Sequence, residues 1–223
     1  MSTTDQSLRL HLIRHGETAW SLSSRHTGRT DLALTAQGEA QARSLKPLLG
    51  AIRFDAVFTS PALRAWRTCE LAGPTLPAAV IEVDLAEWDY GNYEGKTSSD
   101  IRNERPGWNC YRDGCPGGES PGDVSNRADR LIARLCRLRG NVALFSHGEF
   151  GCSLAARWIG LPVGQGEHFQ LGTASLSILA FNPSHPGLHV IDQWNSSAQV
   201  TGTVLTQPAD TVCEVSDPPA DQD

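Results

Sequence analysis

Two stretches decide how this chain folds: LRLHLIRHGET, residues 8–18, and NVALFSHGEF, residues 141–150. Each begins as a short apolar-rich run and ends in a histidine followed by glycine. Such runs, stopped by a polar, glycine-containing segment, read as strands entering loops. His15 and His147 are therefore expected just beyond two strand ends, where open α/β sheets form their ligand crevice. Gly16 and Gly148 are expected to let a ligand approach the backbone and to open positive φ to the loop. One histidine of this kind is accounted for by a structural hydrogen bond; two with the same local pattern point to a shared site.

The chain around these stretches alternates strands and helices. Thr35 is placed to cap a helix from Ala36 through Leu49, closed by Gly50, with Pro47 kinking it or ending it early. Phe54–Phe58 reads as a second strand, and Thr59-Ser60-Pro61 opens a helix toward Leu71. Val80–Val83 reads as a third strand. Trp88–Pro121 is rich in Gly, Asn, Asp, Pro and aromatic residues, which predicts an excursion with at most short helices. Val124, Ala128, Leu131, Leu135 and Leu138 then recur at helical spacing with arginines on the other faces, and Gly140 stops that helix. A helix over Phe150–Ile159 and closing strands over Ser175–Phe181 and Leu188–Trp194 complete the pattern. The expectation is an α/β fold, a three-layer α/β/α sandwich on a mostly parallel sheet. Residues 1–195 form one domain, with an insertion near 88–121 roofing the site. Residues 196–223 read as an acidic, flexible tail.

Composition narrows the function. The 223 residues carry 19 Lys and Arg against 25 Asp and Glu, a net charge of −6. That balance speaks against a nucleic-acid partner, although a few arginines in one cleft still attract a small phosphorylated substrate. No apolar run is long enough for a membrane span, and MSTTDQ has no secretory pattern. The six cysteines form no CxxC pair, which fits reduced thiols and a cytoplasmic location. Arg14 precedes His15, and Arg64 falls one turn into the helix after Thr59-Ser60-Pro61. Guanidinium groups bind phosphate bidentately and stay charged at any working pH.

LIRHGETAW, HTGRTDLALTAQGEAQA, FTSPALRAWRT, LAEWDYGNYEG and ALFSHGEF, in that order from Leu12 to Phe150, resemble the histidine phosphatase superfamily, also called phosphoglycerate-mutase-like. The resemblance covers residues 8 to about 195. It implies that His15 attacks phosphorus and becomes phosphohistidine, dividing one hard displacement into two easier ones. It implies that Arg14, Arg64 and His147 surround the transferred phosphoryl group, and that Glu87 is the proton donor. It calls for no metal and no cofactor, because arginines and histidines supply the positive charge.

Ser21 follows Trp20 where many relatives carry asparagine, and Glu149 follows Ser146-His147-Gly148 where close relatives often carry histidine. Ser21 is retained as a candidate substrate contact; Glu149 reads as a simple helix cap. The run from Glu87 to Gly95 is similar to the phosphatase branch rather than to the mutases, which follow the glutamate with Arg-His-Tyr-Gly. Arg25 to Thr35 resembles the sugar-bisphosphatase group and suggests that His26, Thr27 and Gly28 border the substrate. Trp88, Tyr90 and Trp108 are candidates to wall the pocket, or else to pack the excursion onto the domain. The sequence thus predicts a metal-independent phosphomonoester hydrolase acting on a small phosphorylated metabolite such as a sugar phosphate. A phosphoglycerate mutase and a non-catalytic phospho-ligand or protein-binding member are the alternatives. Oligomeric state stays open.

Overall fold

The computed structural model describes residues 7–73 and 77–197. Its centre is a six-stranded sheet in the order β3-β2-β4-β1-β5-β6. The strands are β1 (Arg9–Arg14), β2 (Ala56–Thr59), β3 (Val80–Ile81), β4 (Asn141–Ser146), β5 (Ser175–Asn182) and β6 (His185–Ser197). β3, β2, β4 and β1 run parallel, while β5 and β6 close one edge as an antiparallel pair.

Alternation along β1 and β4 explains the layers. Leu8, Leu10, Leu12, Val142 and Leu144 face one core, and Ile13, Ala143 and Phe145 face the other. Side chains on a strand point to opposite faces in turn, so a run buried throughout needs cover on both sides. The first core is shared with α7 (Pro121–Leu135) and α8 (Gly148–Trp158). The second takes Leu45, Leu49, Cys69 and Ala72 from α2 (Ala36–Ser44), its extension α3 (Lys46–Gly50) and α4 (Leu63–Ala72).

The break that Pro47 predicts in the helix over 36–49 is present, at Leu45, with Pro47 in the first turn of α3, where a missing N–H costs nothing. Several boundaries differ from expectation. The second strand begins at Ala56 rather than Phe54, and the third keeps only Val80 and Ile81 before a 3₁₀ turn over Val83–Leu85. α7 ends at Leu135, capped by Cys136, and Gly140 (φ +73°) instead turns the chain into β4. β6 runs to Ser197, well past Trp194. The capped turn α1 (Ala19–Leu22) and the 3₁₀ segment Val163–His168 had no clear sequence signal.

The excursion holds short helices, α5 (Ser98–Glu104) and α6 (Cys110–Asp113), as expected. Trp88, Tyr90, Tyr93 and Trp108 bury into the main core. The Trp88 and Trp108 indole N–H groups donate to the Glu119 and Gly114 carbonyls, so both tryptophans pack the excursion down. Of the tail expected over 196–223, Ser196 and Ser197 belong to β6, and the rest lies outside the described residues. Among the described residues, no helix is long and apolar enough to cross a membrane.

Candidate active site

The register of the sheet brings the two histidines together. Arg14 pairs with Ser146 across the parallel β1–β4 ladder, so His15 and His147 leave neighbouring strands at the same level. Their rings lie 5.2 Å apart, centre to centre. The backbone of His15 remains held on both sides: its N–H donates to the Ser146 carbonyl, and its carbonyl accepts from Ala174.

Hydrogen bonds fix the two rings in opposite tautomers. Nδ1 of His15 lies 2.7 Å from the Gly16 carbonyl oxygen, which can only accept, so Nδ1 carries the proton and Nε2 keeps its lone pair. At His147 the order reverses. Arg64 Nε donates to Nδ1 at 3.2 Å, so the proton sits on Nε2, which donates to Ser60 Oγ at 2.7 Å. Burial, followed by the Arg64 charge, holds both rings well below the usual histidine range, and both are neutral.

Arg64 is wholly buried. Beyond His147 it donates to the carbonyls of Thr27, Gly28 and Thr30, tying the 27–30 loop to α4. Four of its five N–H groups are thereby used, and a phosphoryl oxygen would draw on the fifth or displace a carbonyl. Arg14 donates to the Leu171 carbonyl, and its buried Nε has no partner.

Glu87 lies at the N-terminus of α8. Its Oε1 accepts from the backbone N–H of Trp88 and Phe150, both at 2.8 Å, and its Oε2 accepts from Glu149 N–H at 3.2 Å. Burial, reinforced by the Glu149 charge, outweighs those bonds and the pull of Arg64, pushing the carboxyl up to about 7. The residues around it are clamped by Arg127. That side chain forms a two-pronged pair with Glu119, both contacts at 2.8 Å, and donates to the carbonyls of Asp84, Ala86 and Glu87.

The glycines serve a different purpose from the one expected. Neither Gly16 nor Gly148 has positive φ. A Cβ on Gly16 would sit 2.4 Å from the Gly38 carbonyl oxygen, and one on Gly148 would sit 3.2 Å from the Arg14 guanidinium carbon. The first lets the loop lie against the start of α2, and the second leaves room for Arg14.

Arg14, His15, Ser21, His26, Thr27 and Glu87 border one chamber of about 330 Å³, together with Ser24, Arg25, Tyr90, Ser98 and Glu149. Tyr90 alone of the three candidate wall aromatics reaches it. The Ser21 hydroxyl is occupied locally: it accepts from Thr18 N–H and donates to the Thr18 carbonyl. His26 pairs with Ser98 and lies against Tyr90. Gly28 falls on a neighbouring cavity of about 390 Å³ and is pinned by Glu94.

Sequence reasoning missed Arg127, placed with the solvated arginines, and Glu149, read only as a cap. Arg127 had a signal, since it falls within the buried stripe of Val124, Ala128, Leu131 and Leu135. Among the described residues, no group of three or more His, Cys, Asp or Glu is placed to hold a metal ion.

The sequence and fold that carry this site are matched by known proteins. The sequence profile of the histidine phosphatase superfamily (branch 1) matches residues 10–195. The chain belongs to that superfamily. An acid phosphatase of Mycobacterium tuberculosis is 45% identical over 179 residues, covering 78% of this chain and 86% of its own length. A sedoheptulose 1,7-bisphosphatase of Saccharomyces cerevisiae is 35% identical over 184 residues, 68% of each chain. A solved structure of an open reading frame product from Mycobacterium tuberculosis aligns with a TM-score of 0.80 at 39% identity, covering 86% of this chain and 98% of that one. Within that superfamily, the likeness to these phosphatases makes the chain a phosphatase.

Proposed function

We propose that His15 is the nucleophile and Glu87 the proton donor in the hydrolysis of a small sugar or polyol phosphate. The observation that carries this reading is the pair of opposite tautomers: Nε2 of His15 offers a lone pair where Nε2 of His147 offers a proton. In the first step Nε2 of His15 forms a bond to phosphorus as the ester P–O bond breaks. The departing alkoxide takes the proton of Glu87, whose carboxyl stays half-protonated near neutrality. In the second step water attacks phosphorus and Glu87 accepts its proton. The N–P bond breaks, returning the electron pair to His15 and releasing inorganic phosphate.

His147 Nε2–H, Arg14 and Arg64 stabilise the charge that spreads over the phosphoryl oxygens. The phosphoryl oxygen would replace Ser60 Oγ as the acceptor from His147. His26 and Thr27 border the leaving group; Ser21 shapes α1 more than it offers a free hydroxyl. The sugar-phosphate reading is supported by the chamber's mix of hydroxyls, His26 and Tyr90, and by the likeness to the yeast bisphosphatase.

Phosphate release from sugar phosphates, phosphoglycerates, nucleotides and phosphopeptides, in excess chelator, tests the proposal. Wild type is expected to turn over at least one sugar or polyol phosphate and to trap acid-labile, alkali-stable phosphate on the protein. Both signals are lost in His15→Ala. A fully active His15→Ala protein overturns the nucleophile assignment.

A further inference from the structure

Glu149 occupies the first turn of α8 and borders two cavities at once. One is the chamber with His15 and Glu87. The other, of about 460 Å³, lies on the far side of Arg14 and is lined also by Tyr111, Glu167, Gln170 and Asn195. Only the backbone of Glu149 is engaged: its N–H donates to Glu87, and its carbonyl accepts from the hydroxyls of Ser153 and Tyr111. No hydrogen-bond or ion-pair partner meets its carboxylate among the described residues.

Neither of the arginines that line the chamber pairs with that carboxylate. Arg14 lies beside His15 with its donor on Leu171, and Arg25 is exposed at the mouth with its donor on the Gly95 carbonyl. Across the second cavity stands another carboxylate, Glu167, beside the neutral amides of Gln170 and Asn195. The charge of Glu149 reaches into the chamber: after burial it is the largest influence raising Glu87 and Tyr90, and it opposes the desolvation of His26.

An unpaired carboxylate accepts hydrogen bonds from hydroxyl or ammonium groups and repels anions brought into the same poorly screened space. We propose that Glu149 sets leaving-group specificity, favouring phosphomonoesters whose alcohol carries hydroxyl or ammonium donors and rejecting those that carry a second anionic group beside the ester. This rests on the roles given above to His15 and Glu87.

Glycerol 3-phosphate and 3-phosphoglycerate share one carbon skeleton and differ in a hydroxymethyl against a carboxylate. The test measures kcat/KM for both, beside p-nitrophenyl phosphate, in wild type, Glu149→Gln and Glu149→Asp. Wild type is expected to prefer glycerol 3-phosphate. Glu149→Gln narrows that preference by about tenfold or more, through a gain on 3-phosphoglycerate, while Glu149→Asp keeps it. A merely structural role would change all three esters alike.

Three results overturn the proposal: a preference unchanged in Glu149→Gln, a wild-type preference for 3-phosphoglycerate, or failure of both esters to react or to compete with p-nitrophenyl phosphate. Failure of the underlying mechanism shows separately, as p-nitrophenyl phosphate hydrolysis that survives in His15→Ala.

Discussion

Glu87 must give a proton to an alkoxide and later take one from water, and a carboxyl near 7 can do both at neutral pH. That poise comes from burial and Glu149 acting against two backbone N–H bonds and Arg64. Glu87→Gln is therefore expected to lower kcat/KM for an alkyl phosphomonoester by about 10²–10⁴-fold. p-Nitrophenyl phosphate should lose far less, because nitrophenolate departs without a proton and kcat/KM reports only through phosphorylation of His15. The donor is the protonated form, so alkyl-ester kcat/KM falls as pH rises through about 7. His15, held well below the usual histidine value, adds no limb near pH 6.5. Equal losses on both esters would remove Glu87 from the donor role. The short motifs singled out Arg14, His15, Arg64, Glu87 and His147 from the sequence, and the fold brings them to one end of the sheet. The tautomers were not legible, because that of His15 depends on how the chain turns at Gly16 and that of His147 on Ser60 and Arg64, which only the folded chain brings into contact.

At the scale of elements, the site depends on how α7 holds the segment that carries Glu87. The Arg127 guanidinium closes on Glu119 and on three carbonyls from Asp84, Ala86 and Glu87, and it lies over the Phe150 ring. Removing the guanidinium takes the side-chain donor from the carbonyls of Asp84, Ala86 and Glu87, while Glu119, partly exposed, keeps the Asp89 N–H. Arg127→Met is expected to cost about 1–3 kcal/mol in denaturant melts. Because the loose segment carries the proton donor, alkyl-ester kcat/KM should fall further than p-nitrophenyl phosphate kcat/KM. A variant as stable as wild type would show the clamp to be dispensable. Periodicity found α7 but assigned its arginines outward, although Arg127 sits at helical spacing between Val124 and Leu131; the position was legible, the partners that let a charge occupy it were not. The α2–α3 division was legible in Pro47, but the full length of β6 escaped, because it is settled by pairing with β5 and not by local preference.

For the molecule as a whole, the sheet was the most legible feature, because strands buried on both faces leave unbroken apolar runs such as Asn141–Ser146. That same burial sets function against stability. A carboxyl enclosed between the ends of β4 and α8 has its native value raised to about 7, against about 4.3 for an ordinary glutamate in the unfolded chain. Between those values the native state binds more protons than the unfolded one, so the contribution of Glu87 to stability falls as pH rises across that window. Glu87→Gln cannot titrate and escapes the loss. Whatever offset the amide introduces at low pH, the melting temperature of the variant minus that of wild type should increase from pH 5 to pH 8, with most of the change below pH 7. Calorimetric scans of the two proteins at unit steps of pH measure the difference directly. A difference that stays flat would mean that the Glu87 carboxyl does not titrate near neutrality in the folded protein, and the single group proposed to act as both acid and base would lose its physical basis.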